Sequence, residues 1–560
     1  MTTGAGGRGR RPGAGSEEEN MAKGPERPNI LLLFTDQQRF DTIAGAGFEH
    51  MVTPNLDRLA RDGCVFTNAF TPNPVCVPAR HNLMTGLPAR YHGYTANNPH
   101  PLDHRLPTLP QILSDNGWHT RAIGKMHFQP PRRHSGFDKM ELMEEIPRYR
   151  EDDEYAMYLK ANGWGHIQNI HGVRNLLYML PQRSLIPEEH HGSTWVGKRS
   201  AEFIRTNAGR RPFFLWSSWI QPHPPFDITD SVAELYKDRA LPAPLVSETP
   251  LGPQAANAAR YADFPEGEQA VYNRRMRECY YAAVSLVDKN VGVILDALEE
   301  TGQLDNTLIM FTSDHGEMLG DHSCYQKMMP YDSAAHIPFV VRYPERVAPG
   351  SVRDDFVGLN DILPTVLDVG QLAYPGPLAL PGQSALAQNA PRPNHYMEYG
   401  RGRGRWISVR TRTHKYNYYY RGGYEELFDL ANDPCESRNL LICEPDDPAV
   451  ADARGELRRT LIELESRWGL ENYAAQGELL SLGPDAPGRK TRSSRNGQFP
   501  AFPSSLTDAR EKESMKPFGE EVLEAVSNEP IVKLHDLDLD AWAANGAPET
   551  VIERIRREQL

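Results

Sequence analysis

A continuous apolar run, Asn29–Thr35, ends directly on the acid–amide pair Asp36-Gln37. A strand that is apolar on both of its faces belongs inside a sheet covered on both sides, the situation of parallel sheets in α/β proteins. The same texture returns at Pro212–Ile220 and Thr307–Thr312, with shorter stretches at Val65–Phe70 and Thr120–Gly124. Between these runs lie helical patterns: Pro54–Asp62, Leu106–Asn116 closed by Gly117, and the long Met276–Glu300 stopped by Thr301-Gly302. Strands alternating with helices predict an α/β fold with a mostly parallel central sheet flanked by helices. From His395 the texture changes. Trp406–Arg412 and Lys415–Tyr420 alternate and are rich in Tyr, Arg and Thr, which predicts a smaller C-terminal antiparallel sheet, followed by a helix over Asp452–Trp468. The division that follows is a disordered tail over 1–27, a main α/β domain over 28–390, a C-terminal subdomain over 391–475 and an extension over 476–560.

Composition removes several classes of function. The 560 residues carry 61 basic against 74 acidic side chains, a net charge of -13. A general nucleic-acid binder needs a basic footprint, against which this balance argues, while a local basic pocket for a small anion stays open. The longest apolar runs, Ile30–Phe34 and Phe339–Val341, fall far short of the roughly 20 residues that span a bilayer, so no membrane span is expected. The six cysteines include no C-x-x-C pair of the structural zinc type. Arg8-Gly9-Arg10-Arg11 is followed by Pro12 to Glu19, a polar stretch where an export signal has its apolar segment. The expectation is a cytoplasmic protein with reduced thiols.

Ligands of open α/β sheets sit at the carboxyl ends of strands. Asp36-Gln37 follows the first strand and Asp314-His315-Gly316 follows the strand at Thr307–Thr312. Two such pairs can converge on one divalent cation, for which oxygen ligands suit Ca²⁺, Mg²⁺ or Mn²⁺. An Asp after a strand also caps helices, so either pair alone decides little. The segment Cys76-Val77-Pro78-Ala79-Arg80 adds a third part. Pro78 suits the first turn of a helix, which places Cys76 at the helix N-terminus, where dipole and free N–H groups favour an anion. Arg80 lies one turn on, facing the same place. The residues alone describe either a low-pKa thiol beside an arginine or a structural cysteine.

C-x-P-x-R-x3-M-T-G, here Cys76 to Gly86, resembles the signature of the type I sulfatases of the alkaline-phosphatase-like superfamily. Further ordered matches run along the chain: Pro28-Asn29-Ile30, Thr53 to Leu59, Gly124-Lys125-Met126-His127, Gln221 to Phe226, Ser313 to Gly316 with Lys327, and Glu426 to Leu430 with Asp433-Pro434. The resemblance implies the alkaline-phosphatase-like fold and hydrolysis of a sulfate monoester. Cys76 would be converted to Cα-formylglycine by a formylglycine-generating enzyme, and the aldehyde hydrate would be the nucleophile. One divalent metal would be held by Asp36, Gln37, Asp314 and His315 together with position 76. Arg80 would stabilise the hydrate, and Lys125 and Lys327 would neutralise charge on the sulfuryl oxygens. His223 or Lys327 would protonate the leaving alkoxide, and His127 would help expel sulfate. Thr85 and Gly86 would serve the turn after the helix. Cys64, Cys279, Cys324, Cys435 and Cys443 would be plain thiols.

Many members of that family carry Asp-Asp and Asp-Asn where this chain has Asp36-Gln37 and Asp314-His315. The cage then holds two formal negative charges rather than three. Ca²⁺ is the expected ion, and the imidazole admits Mn²⁺. The same pairs resemble those of phosphonate monoester hydrolases and of some bacterial sulfatases, choline-sulfatase-like ones among them, while Lys125 and His127 keep the sulfatase form. A phosphonate monoester or phosphodiester hydrolase is therefore the alternative, and a catalytically silent homologue the minor one. Specificity is expected from Tyr91–Arg105, with Asn97, Asn98, His100 and His104, as a pocket wall, and from Pro130–His191 as a lid. The aromatics of that insertion, among them Tyr149, Tyr155, Trp164 and His166, either stack on substrate or form a satellite core. The extension after Ala475, with Phe499 to Pro503, either embraces a neighbouring subunit in a homo-oligomer or packs on its own.

Overall fold

The structure of the protein, a computed structural model, describes residues 1, 4, 27–98, 100–147, 149–165, 167, 169–172, 178–179, 181–259, 269–387 and 391–483. The readings of the N-terminal tail (apart from Met1, Gly4 and Arg27), of His166 and of the stretch around Phe499 fall outside the described residues.

The first apolar run forms β1 (Asn29–Asp36), buried along its whole length. Its side chains alternate between two cores. Ile30, Leu32 and Phe34 enter one, and Leu31 and Leu33 enter the other. A period of two with both faces apolar is what a doubly covered sheet requires. Seven more strands complete the sheet: β2 (Cys64–Phe70), β3 (His119–Gly124), β4 (Lys139–Leu142), β5 (Phe213–Pro222), β6 (Thr307–Ser313), β7 (Phe339–Arg342) and β8 (Ser351–Gly358). Their spatial order is β8-β2-β7-β6-β1-β5-β3-β4. All pairs are parallel except those of β7, which runs antiparallel to both β2 and β6.

Helices cover both faces. α2 (Cys76–Thr85) and α3 (Leu109–Asp115) contribute Ala79, Leu83, Ile112 and Leu113 to the first core. α1 (Pro54–Arg61), α4 (Gly192–Asn207) and α5 (Gln269–Glu300) contribute Leu56, Val196, Val291 and Ile294 to the second. α3 starts three residues later than the pattern suggests, because Thr108 caps it by accepting a hydrogen bond from the Gln111 N–H. α5 starts seven residues before Met276, and its added turns bury Tyr272 and Asn273.

The antiparallel sheet is β9 (His395–Tyr399), β10 (Trp406–Arg410), β11 (His414–Tyr419) and β12 (Tyr424–Asp429), paired in chain order. Helix α6 (Pro448–Trp468) lays Val450, Leu457 and Leu461 on Ile407, Val409 and Tyr418. It begins earlier than Asp452 because Asp447 caps it and Pro448 occupies a position where a missing N–H costs nothing.

In the 130–191 insertion, Tyr155 and Trp164 join the second core under the sheet, whereas Tyr178 lies 6.2 Å from the His223 ring. Tyr155 is fully buried, 5.4 Å from the His171 ring and 5.6 Å from Trp195, and Trp164 packs on the same cluster. Tyr149 is exposed. No helix among the described residues is long and apolar enough to cross a membrane.

Candidate active site

Strands β6, β1, β5 and β3 lie side by side and run in one direction. Their carboxyl ends therefore share one edge, the usual ligand edge of an α/β sheet. Asp36 and Gln37 leave β1, Asp314 and His315 leave β6, His223 follows β5, and Lys125 follows β3. Gly124 makes the last of these turns possible. Its φ is 101°, and a Cβ there would sit 1.8 Å from the Ser218 carbonyl oxygen. Only glycine fits such a conformation at such a distance.

The N-terminus of α2 meets this edge. Cys76 Sγ lies 3.3 Å from His315 Nε2 and 3.8 Å from Asp36 Oδ1. Asp36, Cys76, Asp314 and His315 place one potential ligand atom each within 4.8 Å of one another, and all four are buried. His315 Nδ1 is 2.9 Å from the Gly316 carbonyl, which fixes Nδ1–H as donor and leaves Nε2 for the cluster. Arg80, one turn along α2 and fully buried, forks across both carboxylates. Its Nη2 donates to Asp36 Oδ2 at 3.0 Å and its Nε to Asp314 Oδ2 at 3.1 Å. Its Nη1 donates to the Lys125 carbonyl at 2.6 Å and to Ser218 Oγ at 3.0 Å. Lys125 Nζ sits between Asp36 Oδ2 at 2.6 Å and Glu145 Oε1 at 2.5 Å. Lys327 donates to Gln37 Oε1.

Burial and charge set the proton positions. Burial pushes Asp36 up, but Lys125, His223, Arg80 and Lys327 outweigh it and hold that carboxyl well below its ordinary value. Asp314 goes the other way, to about 7, through burial and then repulsion by Asp36. Two carboxylates that share a site cannot both ionise cheaply. Burial and Asp36 push the Cys76 thiol up, whereas Lys327, Lys125 and His315 bring it well below an ordinary thiol. Burial lowers His223 to about 4, although Glu145, 3.1 Å from its Nδ1, opposes that shift.

The structure thus brings together Asp36, Gln37, Cys76, Arg80, Lys125, His223, Asp314, His315 and Lys327, all anticipated from the sequence. His127 follows Lys125 with a φ of 57°, and its ring Nδ1 is buried without a hydrogen-bond partner among the described residues. No hydrogen bond ties that ring to the cluster among the described residues. Asn97, expected in a pocket wall, accepts from the Val77 N–H at 3.0 Å and so caps the helix that carries Cys76. Thr85 bonds the His81 carbonyl and Gly86 takes a φ of 69°, both in the service of the turn. Cys64, Cys279, Cys324, Cys435 and Cys443 form no disulfide. Three groups escaped sequence reasoning: Glu145, Glu317 and Ser218. Glu317 alone had a signal, its place two residues after His315.

The donor set fits a divalent cation. Four carboxylates, Asp36, Asp314, Glu145 and Glu317, face three cations, Arg80, Lys125 and Lys327, in a buried volume. An added divalent charge favours the ionised form of Asp314 as well, and leaves the balance positive, as an anionic ester requires.

The sulfatase family profile matches residues 28–372, and that of the N-sulphoglucosamine sulphohydrolase C-terminal region matches residues 320–467. An arylsulfatase of Clostridium perfringens is 31% identical over 479 residues, which cover 81% of this chain and 97% of that protein. The chain is a member of the sulfatase family. It is an enzyme of the sulfuric ester hydrolase class. A choline-sulfatase of Rhizobium meliloti is 29% identical, with 80% of this chain and 88% of that protein covered. The fold is shared with a solved phosphonate monoester hydrolase of Silicibacter pomeroyi, at a TM-score of 0.66, 23% identity and coverage of 81% and 100% of the two chains.

Proposed function

We propose that this sulfatase cleaves sulfate monoesters with a formylglycine hydrate made from Cys76, beside one divalent cation. The observation that carries the reading is the placement of Cys76 Sγ, at a helix N-terminus and within 4 Å of both His315 Nε2 and Asp36 Oδ1. Asp36, Gln37, Asp314 and His315 would hold the cation, with position 76 as the fifth ligand. Ca²⁺ is the ion we assign, and Mn²⁺ the competitor that the imidazole admits. When bound, the cation supplies Lewis-acid polarisation of the ester oxygen beside the nucleophile.

The chain's own residues do the rest. Arg80 anchors the carboxylates around position 76, so the nucleophilic oxygen is met by fixed dipoles rather than mobile water. Lys125 and Lys327 offset charge on the sulfuryl oxygens. His223 Nδ1 is 2.6 Å from the Pro224 carbonyl, so Nε2 is the nitrogen that would face the leaving oxygen; it would give up a proton only as imidazolium, and Lys327 is the other donor for the leaving alkoxide. His127 would take the proton of the second hydroxyl at position 76, so the adduct breaks by elimination of sulfate.

Two experiments test this reading. Peptide mass spectrometry of the Cys76 region, after expression with a formylglycine-generating enzyme, should show the aldehyde. The same protein should turn over an aryl sulfate faster than an aryl phosphonate. A faster phosphonate reaction would install the alternative activity, which the amide-and-imidazole ligand pairs favour. An unmodified thiol with no turnover would leave a silent homologue.

Cation binding should also expel protons. Asp314 holds one up to about pH 7 in the ion-free protein. At about pH 6 each cation bound should release close to one proton from Asp314, and at about pH 9 that group should release none. Calorimetry in buffers of different ionisation enthalpy measures this. Equal release at the two pH values would contradict the assignment of Asp314 as a ligand.

A further inference from the structure

Gln37 is held in a conformation that a glutamine does not choose. Its φ is 67°, in the left-handed region that non-glycine residues seldom occupy. Such residues persist where their surroundings fix them, and here both backbone polar groups are fixed. The Gln37 N–H donates to Asp314 Oδ1 at 2.9 Å, and its carbonyl accepts from the Tyr280 hydroxyl at 2.6 Å. The side-chain amide is gripped as well. Its Nε2 donates to Glu317 Oε2, and its Oε1 accepts from Lys327. An amide has nearly the same shape in either orientation, so these two partners decide which end is oxygen.

Glu317 is fully buried. Its other oxygen, Oε1, accepts from the Leu319 N–H at 3.0 Å and the Gln326 N–H at 2.5 Å. Both oxygens are therefore in use, and Glu317 is not one of the four clustered ligand residues. A donor bonded to an anion polarises the rest of its group, and hydrogen bonds in series strengthen one another at low dielectric. The Gln37 side-chain oxygen Oε1 gains negative charge from the bond to Glu317, and the ammonium of Lys327 on that oxygen offsets part of it.

We propose that Glu317 is a positioning residue that turns the Gln37 oxygen toward the cation site and lends it negative charge through the amide. It would stand in, one residue removed, for the carboxylate that other members of the family place directly at this position. This rests on the metal-site reading above. The bland alternative is that Glu317 only closes the loop from Gly316 to Met328, which brings Lys327 to the site.

A mutant cycle separates the two. Wild type, Glu317→Gln, Gln37→Asp and the double variant are titrated with Ca²⁺ and, separately, with Mn²⁺ by calorimetry, and each is melted without ions. Glu317→Gln should weaken binding roughly 10–100-fold, the usual effect of losing an outer-sphere partner. Gln37→Asp alone should also bind weakly, since its carboxylate faces Glu317. The double variant, a carboxylate beside a neutral amide, should regain affinity to within a few fold of wild type. Unchanged affinity in Glu317→Gln overturns the proposal, as does a double variant no better than Glu317→Gln. If Glu317→Gln does not fold, recovery of folding and binding in the double variant supports the proposal and failure to recover overturns it. Wild type that binds neither ion overturns the metal-site reading itself, and the proposal with it.

Discussion

An Arg80→Leu variant stripped of divalent ions should lose roughly 3–5 kcal/mol of stability, the usual result of removing one partner from a buried ion pair. Arg80 has no solvent contact, and its guanidinium serves four acceptors: Asp36, Asp314, the Lys125 carbonyl and Ser218. Leucine leaves two buried carboxylates short of counter-charge. The deficit has a sign with pH. Burial opposes the ionisation of Asp36, and Lys125, His223, Arg80 and Lys327 keep it ionised. A depressed carboxyl contributes stability above its unfolded value of ~3.9 and loses it as pH falls through the folded value. Without Arg80 that contribution shrinks. Asp314 is already raised to about 7, so its proton favours the folded state at low pH and is lost as pH rises. Less Arg80 charge extends that loss upward. Both effects make the deficit larger at about pH 8 than at about pH 5. Denaturant melts of wild type and variant at the two pH values measure it, and a deficit that grows on acidification would contradict the ionisation pattern. Arg80→Lys should rescue little, because one ammonium cannot reach both carboxylates, the Lys125 carbonyl and the Ser218 hydroxyl as the arginine's fork does. Activity in either variant should fall by about 10²–10³-fold, the scale of losing a preorganised donor.

The parts of the site that were legible in the sequence are those that fold topology places automatically. In a parallel sheet, whatever follows an apolar run lies at the carboxyl edge, so Asp36-Gln37 and Asp314-His315 had to share it. Cys76 and Arg80 were legible because a helix puts residues four apart on one face. Glu145 was not. It follows β4, a strand of four residues without periodic signal, and reaches Lys125 only because β4 pairs with β3. That pairing is tertiary and leaves no local trace. The reversed direction of β7 was hidden for the same reason, since Phe339–Arg342 is too short to carry a direction. Glu317 was visible as a residue but not as a role. Its meaning depends on which end of the Gln37 amide is oxygen, and only partners 280 residues apart in sequence settle that. His127 marks the opposite case. Its motif is clear, yet its ring makes no hydrogen bond to the cluster among the described residues, so its part depends on substrate.

Cys76→Ala should abolish turnover of an aryl sulfate, with a loss of roughly 10³-fold or more, because no other group at the helix N-terminus can attack sulfur. The fold should survive. Alanine keeps the helix start and removes a thiol whose hydrogen-bond partners among the described residues, Asp36 and His315, have other partners. Cys76→Ser is the sharper test. A serine hydroxyl occupies the same place, one turn from Arg80 and within reach of Lys125 and Lys327. It can attack sulfur, release the alcohol and become a sulfate ester. It lacks the second hydroxyl of an aldehyde hydrate, so the adduct has no elimination route and must wait for water. The expected result is one equivalent of alcohol released in a burst, no sustained turnover, and a protein heavier by one sulfuryl group on position 76. Sustained turnover at the wild-type rate by either variant would remove Cys76 from the chemistry. A Cys76→Ser protein that neither bursts nor gains mass would mean that attack itself needs the hydrate, placing the catalytic gain of the aldehyde in the first step rather than the second.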